Sequence, residues 1–283
     1  WTLQEPLYTD PNIWVMECAD VFKEGEYWYL TYSDVADRKV HYRYAKSLKG
    51  PWTKPANDIF DGIAFYAGKT MSNGTERYLA GWCPTRIGDG DEDQWGGSLV
   101  CHRMLFNADG TIDLKLPDGI DKKFTTLKKT VLIDKSGKAV KKEDSYVLSD
   151  VASVSFPRLD KTCKIEATVK ATGNDDAFGF AFGACDDKTE VYSIRFDLKN
   201  KQLVMSKDDL TRGTTPTQTN VALTVPADKL FKVKIVAEKS VCVMYVNDKI
   251  AFSNRIDKMP KNPWAIFTDK GTEISFSDIK VYE

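Results

Sequence analysis

The stretch TDPNIWVMECADVF sets Asp10 and Glu17, two candidate catalytic carboxylates, seven residues apart. Glycoside hydrolysis commonly uses such a pair, about 5–5.5 Å apart for retention of configuration and about 6.5–9.5 Å apart for inversion. An extended chain would put Asp10 and Glu17 roughly 23 Å apart, and the odd spacing would point them to opposite faces. A turn at Asp10-Pro11-Asn12 shortens that distance, but an aspartate before proline is more at home capping its own loop. Glu17 follows the apolar run Ile13-Trp14-Val15-Met16. A carboxyl in apolar surroundings holds its proton to higher pH, as a general acid must. The competing reading is a buried glutamate paired with Arg38, Arg43 or Arg86.

Other chemistry-bearing residues give weaker signals. The segment GDGDEDQ, from Gly88 to Gln94, crowds four acidic side chains. It lacks the spacing and terminal glutamate of an EF-hand loop, so it reads as a solvated rim with Arg86 and Asp89 as substrate contacts. Trp82 and Trp95 offer flat apolar faces for a sugar ring, or for packing. His41 and His102 have no serine or cysteine partner at a recognised spacing, which favours core or surface roles. The six cysteines are scattered without a zinc-site pattern and read as mostly reduced and buried. Asn73-Gly74-Thr75 is a glycosylation sequon only in a secreted eukaryotic protein.

The elements that would position these residues are strands. Glu26–Ser33 (EYWYLTYS), Val40–Ser47, Arg77–Cys83 and Ser98–Leu105 are short, aromatic and β-branched, and turn chemistry separates them. No convincing 3.6-residue apolar period runs through the chain, so the fold class is all-β. Asp121–Asp144 is lysine-rich and reads as a solvated connection with edge strands, the alternative being a polybasic docking site. Beyond it come longer, cleanly alternating segments, and the turn at Val246–Asp248 predicts a hairpin. The pattern predicts two domains, 1–140 and 141–283, the second a β-sandwich. A four-stranded propeller blade takes about 40–50 residues. The first region therefore has length for about three blades, fewer than a closed propeller needs, and looks incomplete at its N-terminus.

With 40 basic and 41 acidic residues the net charge is −1. That balance gives no electrostatic attraction to nucleic acid or to a membrane surface. No apolar run is long enough for a membrane-spanning helix. The chain opens on Trp1, so the lack of a visible signal peptide says nothing about export.

MECADVF (Met16–Phe22) resembles the Glu-Cys-Pro-Asp block of glycoside hydrolase family 32, the invertases, levanases and related fructan hydrolases. FDGIAFYAGKT (Phe60–Thr70), RYLAGW (Arg77–Trp82) and WGGSLVCHRML (Trp95–Leu105) are similar to later family blocks, in the same order. Gly50–Trp52 looks like a blade-ending turn, and MYVNDKIAFSNRI (Met244–Ile256) resembles a hairpin of the family's C-terminal sandwich. The resemblance implies a five-bladed β-propeller followed by a sandwich. It also implies retaining hydrolysis of β-fructosides or related furanosides, with Glu17 as general acid/base. Asp61 and Tyr66 would lie near substrate, although Tyr66 could equally be core. The resemblance implies no metal or organic cofactor, an oligo- or polysaccharide substrate, and an extracellular or periplasmic setting.

Departures from the family pattern are equally informative. The nucleophile belongs to a Trp-Met-Asn-Asp-Pro-Asn-Gly block far upstream of the acid/base, and nothing here matches the Arg-Asp-Pro block. TDPNIW imitates three letters of the first block but lies too close to Glu17, which makes Asp10 a decoy. Ala19 stands where proline is usual. Ala64 replaces a residue that is often polar. The expectation is an enzyme whose nucleophile is supplied by an N-terminal part of the same protein. The alternatives are a non-catalytic carbohydrate-binding protein and a structural fragment of a larger surface protein.

Overall fold

The computed structural model describes residues 1–85, 96–160, 162–183, 190–209, 217–256, 263–270 and 272–283. The first sheet joins β1 (Met16–Glu24), β2 (Tyr27–Asp34) and β3 (Lys39–Ala45), antiparallel and in that order. Residues 53–60 run beside β3 as an irregular fourth strand. There Tyr42 N donates to Asp58 O, Phe60 N to Val40 O, and Thr53 exchanges bonds with Tyr44. The second sheet is β4 (Tyr66–Ser72), β5 (Arg77–Pro84), β6 (Gly97–Phe106) and β7 (Ile112–Lys115), again in chain order. These meanders are propeller blades. The residues expected to furnish about three blades thus form two described sheets. Much of the remaining length goes into the stretch before β1 and the long β3–β4 connection.

A single-turn helix, α1 (Asp118–Asp121), leads to the third sheet. Its strands are β8 (Leu127–Lys128), β9 (Asp134–Lys142), β10 (Ser145–Phe156), β11 (Thr162–Ala171), β12 (Ala177–Gly183), β13 (Glu190–Asp197) and β14 (Gln202–Asp209). They continue with β15 (Thr217–Ala222), β16 (Leu230–Glu238), β17 (Val241–Val246), β18 (Ile250–Arg255), β19 (Trp264–Lys270) and β20 (Ile274–Tyr282). The main path is β15-β14-β13-β12-β19-β10-β20-β11-β16-β17-β18, with β8 on β20 and β9 on β10.

β10 is the corner of this sandwich. Ser145–Leu148 pair with β20 and Ala152–Phe156 pair with β19, while Asp150 between them takes a left-handed φ of 53°. A bulge at that point lets one strand serve both layers. Alternation then fills the space between the layers. In β16, Phe231, Val233 and Ile235 point inward while Lys232 points out. Phe231 meets Phe196 of β13 at 5.2 Å and Phe178 of β12 at 6.0 Å, which joins the layers with aromatic contacts. The predicted hairpin closes β17 and β18, with Asn247 and Asp248 both in the left-handed region that such a turn requires. β9 is exposed along most of its length, as an edge strand of the lysine-rich connection should be.

A second core lies between the blades and the sandwich. Tyr29, Val40, Phe65, Leu79, Val100 and Leu114 pack with Val243, Tyr245 and Ala251 of β17 and β18. Leu114 N donates to Lys249 O at 2.9 Å across this boundary. Arg255, 8% exposed, donates to Cys83 O at 2.8 Å, Ser98 Oγ at 3.1 Å and Pro84 O. The blades and the sandwich therefore share apolar surface and a buried cation.

Candidate active site

Glu17 is the second residue of β1, and Tyr66 is the first of β4; each strand is the first edge strand of its sheet. The Tyr66 hydroxyl donates to Glu17 Oε2 at 2.9 Å. Burial, and then the hydrogen bond to the carboxylate, push the Tyr66 phenol well above its ordinary range. It therefore stays a donor at any physiological pH.

The local backbone explains how two edge strands deliver these side chains to one point. Each residue is followed by a non-glycine in the left-handed region, Cys18 at φ 53° after Glu17 and Ala67 at φ 55° after Tyr66. Each strand has a register shift there, between Glu17 and Asp20 in β1 and between Tyr66 and Lys69 in β4. A bulge re-aims the side chain beside it, and left-handed non-glycines concentrate where the surroundings enforce them. Here the two bulges enforce each other. Lys69 Nζ donates to Ala19 O at 2.6 Å, and the Thr70 amide and hydroxyl donate to Asp20 Oδ2 at 2.9 and 2.7 Å. Gly68 lets β4 come close to β3, since a Cβ there would meet the Val40 side chain at 2.8 Å.

Two further groups complete the cluster. Trp82, half-buried and opposite Tyr66 in the β4–β5 ladder, meets the Tyr66 ring edge-on at 5.9 Å. Arg38, in the β2–β3 turn, holds its guanidinium carbon 5.7 Å from the Tyr66 ring centroid. Arg43 is committed elsewhere, to Asp58 and to the Tyr8 hydroxyl at 2.9 Å. Glu17 itself is only half-buried, and Trp14 before it is 81% exposed. Ile13, Val15 and Met16 are partly buried, leading into the edge strand β1.

The structure separates Asp61 from this cluster. Its side chain is closed to solvent and accepts from Gly62 N at 2.6 Å, Ser253 N at 2.7 Å and His102 Nε2 at 3.0 Å. His102 Nδ1 bonds the Tyr245 hydroxyl at 3.0 Å. Asp61 thus ties the second sheet to β18, with both of its oxygens engaged by protein donors. Ala64 is buried in the same second core. Asp10 accepts from Asn12 N at 3.0 Å and caps its own loop. Arg86, Asp89 and Trp95, with the GDGDEDQ loop, lie outside the described residues. Sequence reasoning missed Asp20 and Thr70, and it treated Arg38 only as a charge partner. No sequence pattern announces the bulges that bring them in.

Among the described residues, the ligand atoms of Asp34, Asp37 and His41 come within 4.8 Å of one another. His41 Nε2 already meets both Asp37 oxygens at 3.0 and 3.2 Å, and Nδ1 meets Asp58 at 3.0 Å. Burial alone would lower the His41 pKa, but these hydrogen bonds carry it up to about 9. A protonated imidazole between carboxylates is satisfied without an ion. Among the described residues no cysteine pairs in a disulfide; Cys18 is exposed and Cys83, Cys163 and Cys242 are buried, and Cys185 lies outside the described residues.

No curated protein matches the chain in sequence. Solved structures do match in fold. A fructosyltransferase from A. japonicus aligns at TM-score 0.69 and 14% identity, covering 95% of this chain and 56% of its own. The Bombyx mori GH32 beta-fructofuranosidase aligns at 0.61 and 16%, covering 95% and 54%. Fructan 1-exohydrolase IIa from Cichorium intybus, in complex with 1-kestose, aligns at 0.65 and 12%, covering 95% and 61%. The chain thus spans a little over half the length of these enzymes. Its sequence also matches the family described as "GH32, BT1760-like, C-terminal domain" over residues 110–281. On that match, which takes in more than half of its residues, the chain belongs to glycoside hydrolase family 32.

Proposed function

We propose that this chain carries the acid/base part of a retaining glycosidase acting on β-fructosides or related furanosides. The observation that carries this reading is the Tyr66–Glu17 hydrogen bond at the junction of two interlocked bulges. A carboxyl held by one oxygen, half open to solvent and backed by a phenol keeps its second oxygen for proton exchange with a leaving group and then with water. The nucleophile comes from outside the chain. Asp10 is committed to Asn12, and Asp20 to Thr70. The fructoside-acting neighbours support the substrate class, and the fold they share supports propeller blades followed by a sandwich. The described sheets support placing the passage between these parts ahead of β8, since β8 and β9 already pair within the sandwich.

Glu17→Gln tests the assignment on the complete natural polypeptide. Turnover of a β-fructoside should fall by about 10²–10⁴-fold, the usual contribution of general acid–base catalysis, while sugar affinity changes little. Undiminished turnover would sink the assignment. The second reading, a carbohydrate-binding protein without turnover, is favoured by the lack of a second uncommitted carboxylate beside Glu17 among those two neighbours. It holds if the complete polypeptide binds fructosides but never cleaves them.

A further inference from the structure

Two hydroxyls of β2 lie directly across from the Glu17 bulge, and neither is paired. Thr31 and Ser33 are both at 0% exposure, and Thr31 Oγ1 and Ser33 Oγ find no hydrogen-bonding partner among the described residues. In the β1–β2 ladder Ser33 stands opposite Glu17, and Thr31 stands opposite Asp20. Opposed residues of an antiparallel pair share a face, with Cβ atoms about 4.5–5.5 Å apart. Glu17 and Asp20 reach β4 from that face, to Tyr66 and to Thr70. The two hydroxyls therefore look toward β4 from behind the carboxylates.

A buried hydroxyl without a partner costs stability, and an alanine or a valine would fill either place without that cost. Such a group calls for a reason beyond packing. We propose that Ser33 is a positioning residue for Glu17, its hydroxyl turning about χ1 to donate to the carboxylate when the acid step leaves it charged. This rests on Glu17 being the acid/base.

In that step the Glu17 proton passes to the leaving-group oxygen, and the electron pair of its O–H bond stays on the carboxylate. Ser33 transfers no proton. It adds a hydrogen bond that the resting arrangement does not contain, so the contact strengthens as charge develops and lowers the barrier. An ionised carboxylate has about four acceptor sites, so a second donor beside Tyr66 leaves room for the exchanged proton. A serine hydroxyl changes partner by one bond rotation, with no movement of the strand. Thr31 has no such task. It faces Asp20, whose Oδ2 already accepts the Thr70 amide and hydroxyl.

The test compares the complete natural polypeptide with Ser33→Ala and Thr31→Val, reading kcat and KM on sucrose separately, with melting temperature beside them. Ser33→Ala should lower kcat by about 10–100-fold, the range for a lost hydrogen bond to a charged group. Its KM should stay within about twofold, because the bond forms only in the reacting complex. Thr31→Val should keep kcat within about twofold. Both variants should melt at or above the temperature of the unsubstituted protein, since each removes an unpaired buried hydroxyl. An unchanged kcat in Ser33→Ala overturns the proposal. So does an equal loss in both variants, or a loss that comes with a lower melting temperature, since either assigns the effect to packing between the sheets. If the unsubstituted polypeptide cleaves no fructoside, the acid/base reading of Glu17 fails, and a crystal structure at pH 8 decides the contact itself. Ser33 Oγ within about 3.2 Å of a Glu17 oxygen upholds it. A hydroxyl turned away from Glu17 removes it.

Discussion

At the scale of single residues, the site is a matter of where donors point. The Tyr66 hydroxyl is the group that fixes the Glu17 carboxyl, and it is buried enough to remain protonated. Tyr66→Phe keeps the ring, its contact with Trp82 and its packing, and removes only the donor. We expect kcat to fall by about 10–100-fold, in line with about 1.5–3 kcal/mol for a hydrogen bond to a charged group. A kcat of the variant equal to that of the unsubstituted protein would show that Tyr66 packs beside Glu17 without holding it. Asp61 is the opposite lesson. Its place in a family-like block suggested substrate contact, yet three hydrogen bonds at zero side-chain exposure commit it to the blade–sandwich junction.

At the scale of elements, strands were legible and their irregularities were not. Aromatic and β-branched runs with turn residues between them located β2, β3, β5 and β6, because alternation and turn chemistry are local properties. The bulges after Glu17 and Tyr66 depend on each other across two sheets, so no window of sequence contains their cause. The β2–β3 hairpin makes a testable case in pH. His41 has a folded pKa of about 9, above its unfolded value near 6.5, so the folded protein binds the extra proton more tightly. Its stabilising contribution is complete below about pH 6.5 and is lost as pH rises through about 9. Urea unfolding at pH 6 and pH 9.5 should show a drop for the natural protein that is reduced in His41→Gln. An equal drop in both would assign the pH dependence to other groups.

At the scale of the whole molecule, two cores meet at one seam. Tyr245 belongs to β17 yet packs with the blades, and its hydroxyl satisfies His102. Tyr245→Phe leaves a buried ring nitrogen without its partner. We expect a loss of about 1–3 kcal/mol, read by chemical denaturation. The Glu17–Tyr66 bond lies outside that network, so sugar affinity should hold. A stability change within about 0.5 kcal/mol would mean that the seam tolerates the missing hydroxyl.

The amino-acid sequence by itself determined the all-β class, the alternating sandwich strands, the β17–β18 turn and the candidacy of Glu17. These follow from side-chain periodicity, turn preferences and one short block, all of which act over a few residues. Only the tertiary structure decided that Tyr66 and Arg38 gather at Glu17 and that Asp61 serves the seam. Those outcomes depend on contacts between residues tens to nearly two hundred positions apart. In each, burial and the need to satisfy every polar group select one partner among several that sequence leaves equal.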